Sequence, residues 1–348
     1  MSDEKPQKPD AQAQSTNTIL LHHPEITESD EAVVQAVLET TPFADGSSHL
    51  ERHFSQLFNT SAIAFSSASA AVIALKQAYG WPSGASIALS PLSHPLWHEA
   101  LASAWLTPCW QDINPLTLST NLSPATTQDS VVTMVTAPSP VTDFSPTIWE
   151  DLSLIGHPTT QDSKADFITL LFSESGPIHG QGVVILSENT SLIQKLTQHR
   201  QTTVSLAAAT LAIAQQKGVP LRQQHHQKQA SHYQQTLYER GLFKKTPLAL
   251  FESGLHPYII VLNSETDRDT LKEFLNRARI LVDGPIWYRV SECDHLAGFD
   301  TLKKRALALP LHTGITPPHQ KRIINRINRW SQRYVSQLNR TNLEKSSV

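Results

Sequence analysis

Three short stretches carry residue types that could do chemistry. Ser66-Ser67-Ala68-Ser69-Ala70-Ala71 follows the apolar run Ala62 to Phe65 and opens a helical pattern. Amides left unbonded at a helix start, with small hydroxyl side chains beside them, make a cradle for a phosphate. The same residues also suit a closely packed strand-to-helix turn. Glu150-Asp151 closes a strand-like segment, and ligands of open α/β sheets sit beyond the carboxyl ends of strands. An acid there can be an N-cap, a metal ligand or the partner of a cationic ring nitrogen. Gly176-Pro177-Ile178-His179-Gly180-Gln181-Gly182 lies between two strand patterns. Its glycines permit a tight loop. His179 is an acid–base candidate by residue type, although a lone loop histidine often has no such role.

The elements that must position these residues alternate between strand and helix. Short apolar runs at Ala62 to Phe65, Ser86 to Leu89, Val131 to Val135, Thr147 to Glu150, Phe167 to Phe172 and Val183 to Leu186 predict strands. Helical periodicity covers Ser29 to Leu38, His49 to Phe58, Ala70 to Tyr79, Pro95 to Trp105 and Leu192 to His199. It covers Leu206 to Arg240 as well, with a break expected at Gly218-Val219-Pro220. This alternation predicts an α/β fold on a mainly parallel sheet. Beyond Gly241 the texture becomes α+β, with strands expected at Tyr258 to Leu262, Ile280 to Val282 and Leu307 to Leu309 and a helix at Asp267 to Ala278. The expected organisation is a disordered arm (1–17), a large domain (18–240), a small C-terminal domain (241–335) and a tail (336–348).

Composition narrows the class. The 348 residues are 39% hydrophobic and 17% charged, which excludes a disordered or collagen-like chain. Cys109 and Cys293 are the only cysteines, so neither a disulfide framework nor a cysteine zinc site is available. The histidine pairs His22-His23 and His225-His226 lack the i,i+4 spacing of a helical metal site, and no metal is assigned. Residues 1–18 are polar, and no apolar run is long enough to span a bilayer; a cytoplasmic protein without membrane insertion is expected. The net charge of −3 gives no overall pull towards nucleic acid. Residues 321–348 nevertheless hold seven Lys/Arg against one acid, a net of +6 that leaves −9 on the rest. There Arg322, Arg326, Arg329 and Arg333 recur at helical spacing opposite Ile323, Ile324, Ile327 and Trp330. Such a face can bind anions or simply be the solvated side of a terminal helix.

Taken in order, these stretches resemble the DegT/DnrJ/StrS family of sugar aminotransferases. Leu50-Glu51-Arg52-His53-Phe54 and Phe65 to Ala71 resemble the family's Leu-Glu-x-x-Phe and Ser-Ser-Gly-Thr-Ala-Ala. Pro108 to Asn121 resembles a strand followed by Asp-Ile, and Trp149-Glu150-Asp151 the Glu-Asp that ends a core strand. Leu206 to Leu237 resembles the long alanine-paired helix, and Leu307 to Thr316 is similar to Leu-Pro-Leu-His-x-Gly-Leu-Thr. The resemblance implies the aspartate-aminotransferase fold: a three-layer large domain on a mainly parallel mixed sheet, and a smaller α+β C-terminal domain. It implies pyridoxal phosphate (PLP) as cofactor and a dimer with sites at its interface. Asp151 would pair with the pyridine nitrogen, while Ser67, Ala68 and Ser69 would receive the phosphate. His94 stands nearest the ring-stacking position, and Ser173 at the strand end before the lysine slot.

That slot holds no lysine. In either register it falls on Gly176 or Ile178, and no lysine occurs between Ala165 and Gln194. The family's residue for the cofactor's phenolic oxygen is Leu154 here, and the Asn-aromatic-Arg stretch aligns with His199-Arg200-Gln201. The resemblance therefore leaves three readings. One is a degenerate homologue without normal transaminase activity, with any PLP held non-covalently, acting as a binding or regulatory partner in nucleotide-sugar or surface-polysaccharide biosynthesis. It would be a homodimer or a heterodimer with an active paralogue. The second is an active PLP enzyme on a nucleotide-linked keto-sugar, as a transaminase with a displaced lysine (Lys164 and Lys195 are nearest) or a dehydratase using His179. The third is a frame that binds a nucleotide-sugar or other anion in the old cofactor cleft.

Overall fold

The computed structural model describes residues 18–23, 25–41, 44–122, 129–136, 147–153, 164–173, 176–238, 258–284, 293 and 295–345. The expected arm, 1–17, and Leu154 lie outside them. Strands β1 (Ser61–Phe65), β2 (Ser86–Leu89), β3 (Thr107–Trp110), β4 (Ser130–Thr136), β5 (Ile148–Asp151), β6 (Phe167–Phe172) and β7 (Gly182–Ser187) form one sheet of order β1-β7-β6-β5-β4-β2-β3. β7 runs antiparallel to both β1 and β6, and the other pairs are parallel. The carboxyl ends of β1, β2, β4, β5 and β6 therefore share one edge.

Both faces of the sheet are covered, so its strands are apolar on both sides, most fully in β6 and β7. Their side chains divide by the two-residue period. Ile63, Phe65, Trp149, Phe167, Leu171, Val183 and Ile185 join one buried cluster. Helices α3 (Ala68–Tyr79), α4 (Pro95–Ser103) and α5 (Thr190–His199) cover that face. Ala64, Leu170, Phe172, Val184 and Leu186 join a second cluster with Leu50 and Phe54 of α2 (Ser47–Phe58) and with Ala209 and Ala212 of α6 (Leu206–Tyr238). The result is the α/β fold that the alternation predicts, in the three layers that the resemblance implies.

A third core surrounds the antiparallel pair β8 (Tyr258–Val261) and β9 (Ala306–Leu309). It takes in α7 (Glu265–Asn276), α8 (Ala297–Arg305) and the first turns of α9 (Pro317–Lys345). α9 continues into the stretch read as a tail. Ahead of everything, Thr27 caps α1 (Glu28–Leu38) through a reciprocal capping box with Asp30.

Two expectations fail. Ile280 to Val282 forms no strand; Ile280 makes a single bridge to Ile19, because the N-terminal segment passes beside it. α6 does not break at Gly218-Val219-Pro220 but runs on with Pro220 inside it. Arg222 Nη2 donates to the Gln215 carbonyl (2.9 Å) in the turn the proline disturbs, and Val219 is buried under the sheet.

Candidate functional site

The shared edge carries Asp151, His94 and Ser173 at the ends of neighbouring elements. Asp151 ends β5 on the same pleat face as Trp149, towards α4, whereas Glu150 takes the opposite face. Asp151 is fully buried. Its Oδ1 accepts the Ser153 amide (3.1 Å), the Ser153 hydroxyl and the Thr169 hydroxyl (3.2 Å). Ser153 Oγ in turn accepts the Leu171 amide (2.9 Å), and Thr169 Oγ1 accepts the Trp149 indole (2.8 Å). The other oxygen, Oδ2, is buried with no hydrogen-bond partner; the Trp97 indole approaches without reaching hydrogen-bond geometry. Burial pushes the carboxyl up to about 6, against the pull of the Ser153 and Thr169 hydrogen bonds.

His94 caps α4: its Nδ1 accepts the Leu96 amide (3.2 Å). That leaves Nε2 to carry the proton and donate to Ser173 Oγ at 3.0 Å. Burial holds this imidazole down near 4, so it stays neutral at ordinary pH. His94 and Ser173 thus join the ends of β2 and β6 beside Asp151's strand.

The turn at α3 has two characters. Ser67 Oγ is spent on capping the Ala70 amide (3.2 Å). Ser69 Oγ turns to Ser103 Oγ (3.5 Å), and Ser66 Oγ bonds Thr202 Oγ1 (2.6 Å). The amides of Ala68 and Ser69 are those an α-helix leaves without an intrahelical acceptor, the feature a phosphate uses.

Both positions expected for the lysine, Gly176 and Ile178, lie among the described residues. Ser173 N donates to the Ile178 carbonyl (3.1 Å), closing a tight loop after β6. Ile178 is buried in the cluster of Leu50, Phe54 and Phe172. Gly176 faces the polar side: a Cβ there would lie 3.1 Å from Ser173 Oγ and 3.4 Å from the Ser153 carbonyl. Gly180 (φ 141°) and Gly182 (φ 134°) adopt backbone that only glycine takes easily, and a Cβ on Gly182 would crowd the Phe65 carbonyl at 3.1 Å. Lys164 is exposed at the far end of β6, and Lys195 is exposed on α5.

His179 faces elsewhere. Its Nε2 accepts the Glu25 amide (3.3 Å), and the Glu25 carboxylate meets His226 Nε2 (3.1 Å) and Arg222 Nε (3.3 Å). Arg200, from the altered His199-Arg200-Gln201 stretch, pairs with Glu51. Ser153, Thr169, Trp97 and Thr202 escape the sequence reading: each reaches the site from a different element, so no local spacing marks them. Among the described residues no His/Cys/Asp/Glu cluster of metal-binding geometry occurs.

The chemistry of the donor set can be compared with a PLP cofactor. The orphaned Asp151 Oδ2 suits a protonated pyridine nitrogen, and the α3 turn suits a phosphate. No amine stands at Gly176 or Ile178 to hold the cofactor covalently. When bound, PLP supplies an electron sink for carbanions at the substrate's amine carbon. Here Asp151 would hold the ring nitrogen, and Ala68 and Ser69 the phosphate.

The DegT/DnrJ/EryC1/StrS aminotransferase family model matches residues 200–328. No curated protein matches the chain. Among solved structures it is similar to Spr1654 of Streptococcus pneumoniae, assigned as a sugar aminotransferase, in its pyridoxamine phosphate (PMP) form. The TM-score is 0.75 at 16% identity over 92% of this chain and 100% of that one. Helicobacter pylori PseC, an aminotransferase of pseudoaminic acid biosynthesis, gives a TM-score of 0.73 at 15% identity, covering 90% and 99%. NtdA of Bacillus subtilis with bound PMP gives 0.74 at 18% identity, covering 88% and 82%. At these identities the likeness is one of fold.

Proposed function

From a chain with the fold of the PLP sugar aminotransferases, matched to their family model over residues 200–328, we propose a protein that keeps the frame but not the transamination. It would act as a binding or regulatory partner in nucleotide-sugar or surface-polysaccharide biosynthesis, as a homodimer or beside an active paralogue. One observation carries this reading. The lysine slot falls on Gly176 or Ile178, and no lysine occurs between Ala165 and Gln194. Transamination needs an amine there both to hold the cofactor and to move the proton. Fold and chemistry are separable, since function resides in the site.

The placement of His179 supports the same reading over a His179-based dehydratase, because its Nε2 is engaged by the N-terminal segment. The deciding experiment adds PLP to the purified protein, reduces with borohydride and maps the product by mass spectrometry. The expected result is no specific pyridoxyl adduct, with any PLP lost on gel filtration. An adduct on one defined lysine would overturn the reading. Nucleotide-sugars that bind the native state should raise its melting temperature.

A further inference from the structure

The seven-stranded sheet does not exhaust the chain's capacity to bind. α9 packs Ile323, Ile324, Ile327 and Trp330 into the core around β8 and β9, which turns its basic residues outward. Between this face and the end of α7 lies a groove of about 540 Å³, walled by Ala278 and Pro318 and lined by Lys321, Arg322, Arg326 and Arg329. That size falls within the range of small-molecule sites. Two of the guanidiniums are held in place. Arg322 Nη2 donates to the Ala278 carbonyl (2.6 Å). Arg326 lies 4.3 Å above the Phe274 ring, and its Nε is buried without a hydrogen bond. Lys321, Arg326 and Arg329 make no ion pair among the described residues. On α7 the nearby acid Glu273 is committed to Arg277.

We propose that this groove is a binding site for a small phosphate-bearing polyanion, of the diphosphate or polyphosphate class. Planar guanidiniums take phosphate oxygens in pairs, and those already positioned lose less freedom on binding. Four cations converging on one small volume favour a ligand whose charges are close together over a single monoanion. A single-stranded nucleic acid would instead call for exposed rings on which bases stack. The two aromatic rings here are otherwise occupied: Trp330 is buried, and Phe274 lies beneath Arg326. The site is independent of the reading of the aminotransferase-like cleft.

Isothermal titration of the full-length protein with inorganic pyrophosphate tests the proposal. Saturable binding is expected, at least about ten-fold tighter than for inorganic phosphate. It should weaken by about ten-fold or more in Arg326→Ala/Arg329→Ala, since both guanidiniums would lose their charge-assisted bonds to phosphate oxygens. Raising salt from about 50 mM to about 200 mM should weaken it as well. Should Arg326→Ala disturb the packing over Phe274, the exposed pair Lys321→Gln/Arg329→Gln provides the same reading without it. Absence of saturable heat would overturn the proposal, as would pyrophosphate binding unchanged in a folded variant. So would binding to phosphatidylglycerol vesicles or to an oligoribonucleotide with none to pyrophosphate, since the face would then serve a membrane or a nucleic acid.

Discussion

A carboxyl sealed from water keeps its proton unless a cation is brought to it. Asp151 holds its proton up to about pH 6, whereas an ordinary aspartate releases it near 3.8. Between those values the folded chain binds more protons than the unfolded one, so stability falls as pH rises through the window. Above it the cost settles at roughly 3 kcal/mol. Asp151→Asn keeps an acceptor for Ser153 and Thr169 and removes the charge. It should match the parent at pH 4 and exceed it at pH 8 by up to about 3 kcal/mol, read from urea midpoints. His94 and His98, both lowered to about 4 by burial, act in the opposite sense. Their stabilisation is present above about pH 6.5 and is lost as pH falls towards 4. It is common to both proteins and cancels in the difference. An asparagine variant weaker than the parent at pH 8 would show that the chain itself already supplies Oδ2 with a cation. Two loops away, Gly176 poses the complementary test. Its backbone is not left-handed, and the nearest atoms to an added Cβ are the Ser173 hydroxyl at 3.1 Å and the Ser153 carbonyl at 3.4 Å. Gly176→Lys should therefore fold, and with PLP and borohydride it should yield an adduct at position 176 that the parent lacks. Failure to form one would mean that more than the amine has been lost.

At the scale of elements, legibility followed from how local the cause was. β6 and β7 are covered on both faces and show as largely apolar runs, and Thr27 with Asp30 announces α1. Asp151 was readable because the end of a strand is a local feature. Ser153, Thr169 and Trp97 were not, because the fold alone brings them to it. α8 was hidden for the same reason. Its own N-cap, Leu296, has no side-chain oxygen, and its last turn is Lys303-Lys304-Arg305. The cap comes from Asp112, which accepts the amides of Gly298 (2.9 Å) and Phe299 (3.0 Å) across 186 residues. This is what the Asp-Ile of the Pro108 to Asn121 stretch does here: a carboxylate from the large sheet's rim starts a helix of the smaller core. Asp112→Ala should cost about 1–2 kcal/mol in a urea titration, with Asp112→Asn intermediate because it caps without opposing the helix dipole. Gly298 allows the approach. A Cβ there would sit 1.8 Å from the Ile113 carbonyl, so Gly298→Ala should cost about 3 kcal/mol or more. A neutral Gly298→Ala would mean that α8 is free to move away from Asp112.

Across the whole molecule the large sheet and the smaller core are tied by the chain that precedes α1. Ile19 exchanges backbone bonds with Arg279 and Leu281 (both 2.8 Å), and the Leu20 carbonyl meets His312 Nε2 (3.1 Å). Six residues on, Glu25 reaches both sides at once. Its Oε1 accepts the Thr313 amide after β9 (2.7 Å) and faces His226 of α6, while Oε2 faces Arg222. Its amide donates to His179 in the loop after β6, and its carbonyl accepts from Gln215 (3.3 Å). The side chains of Glu25 and Arg222 are only 9% and 11% exposed, so neither charge can turn to water if the other is removed. Buried pairs of this kind add little over an apolar replacement but are costly to break from one side. Glu25→Ala should therefore destabilise by about 3–5 kcal/mol. Glu25→Gln, which can still accept from Thr313 and His226, should cost less. The second readout separates a clamp from an ordinary buried ion pair. If Glu25 anchors the strap, Glu25→Ala should speed hydrogen exchange at the Ile19 and Leu281 amides, six and more than two hundred residues away, well before global unfolding. Exchange at those two amides that rises only in step with the global opening rate would confine Glu25 to local packing.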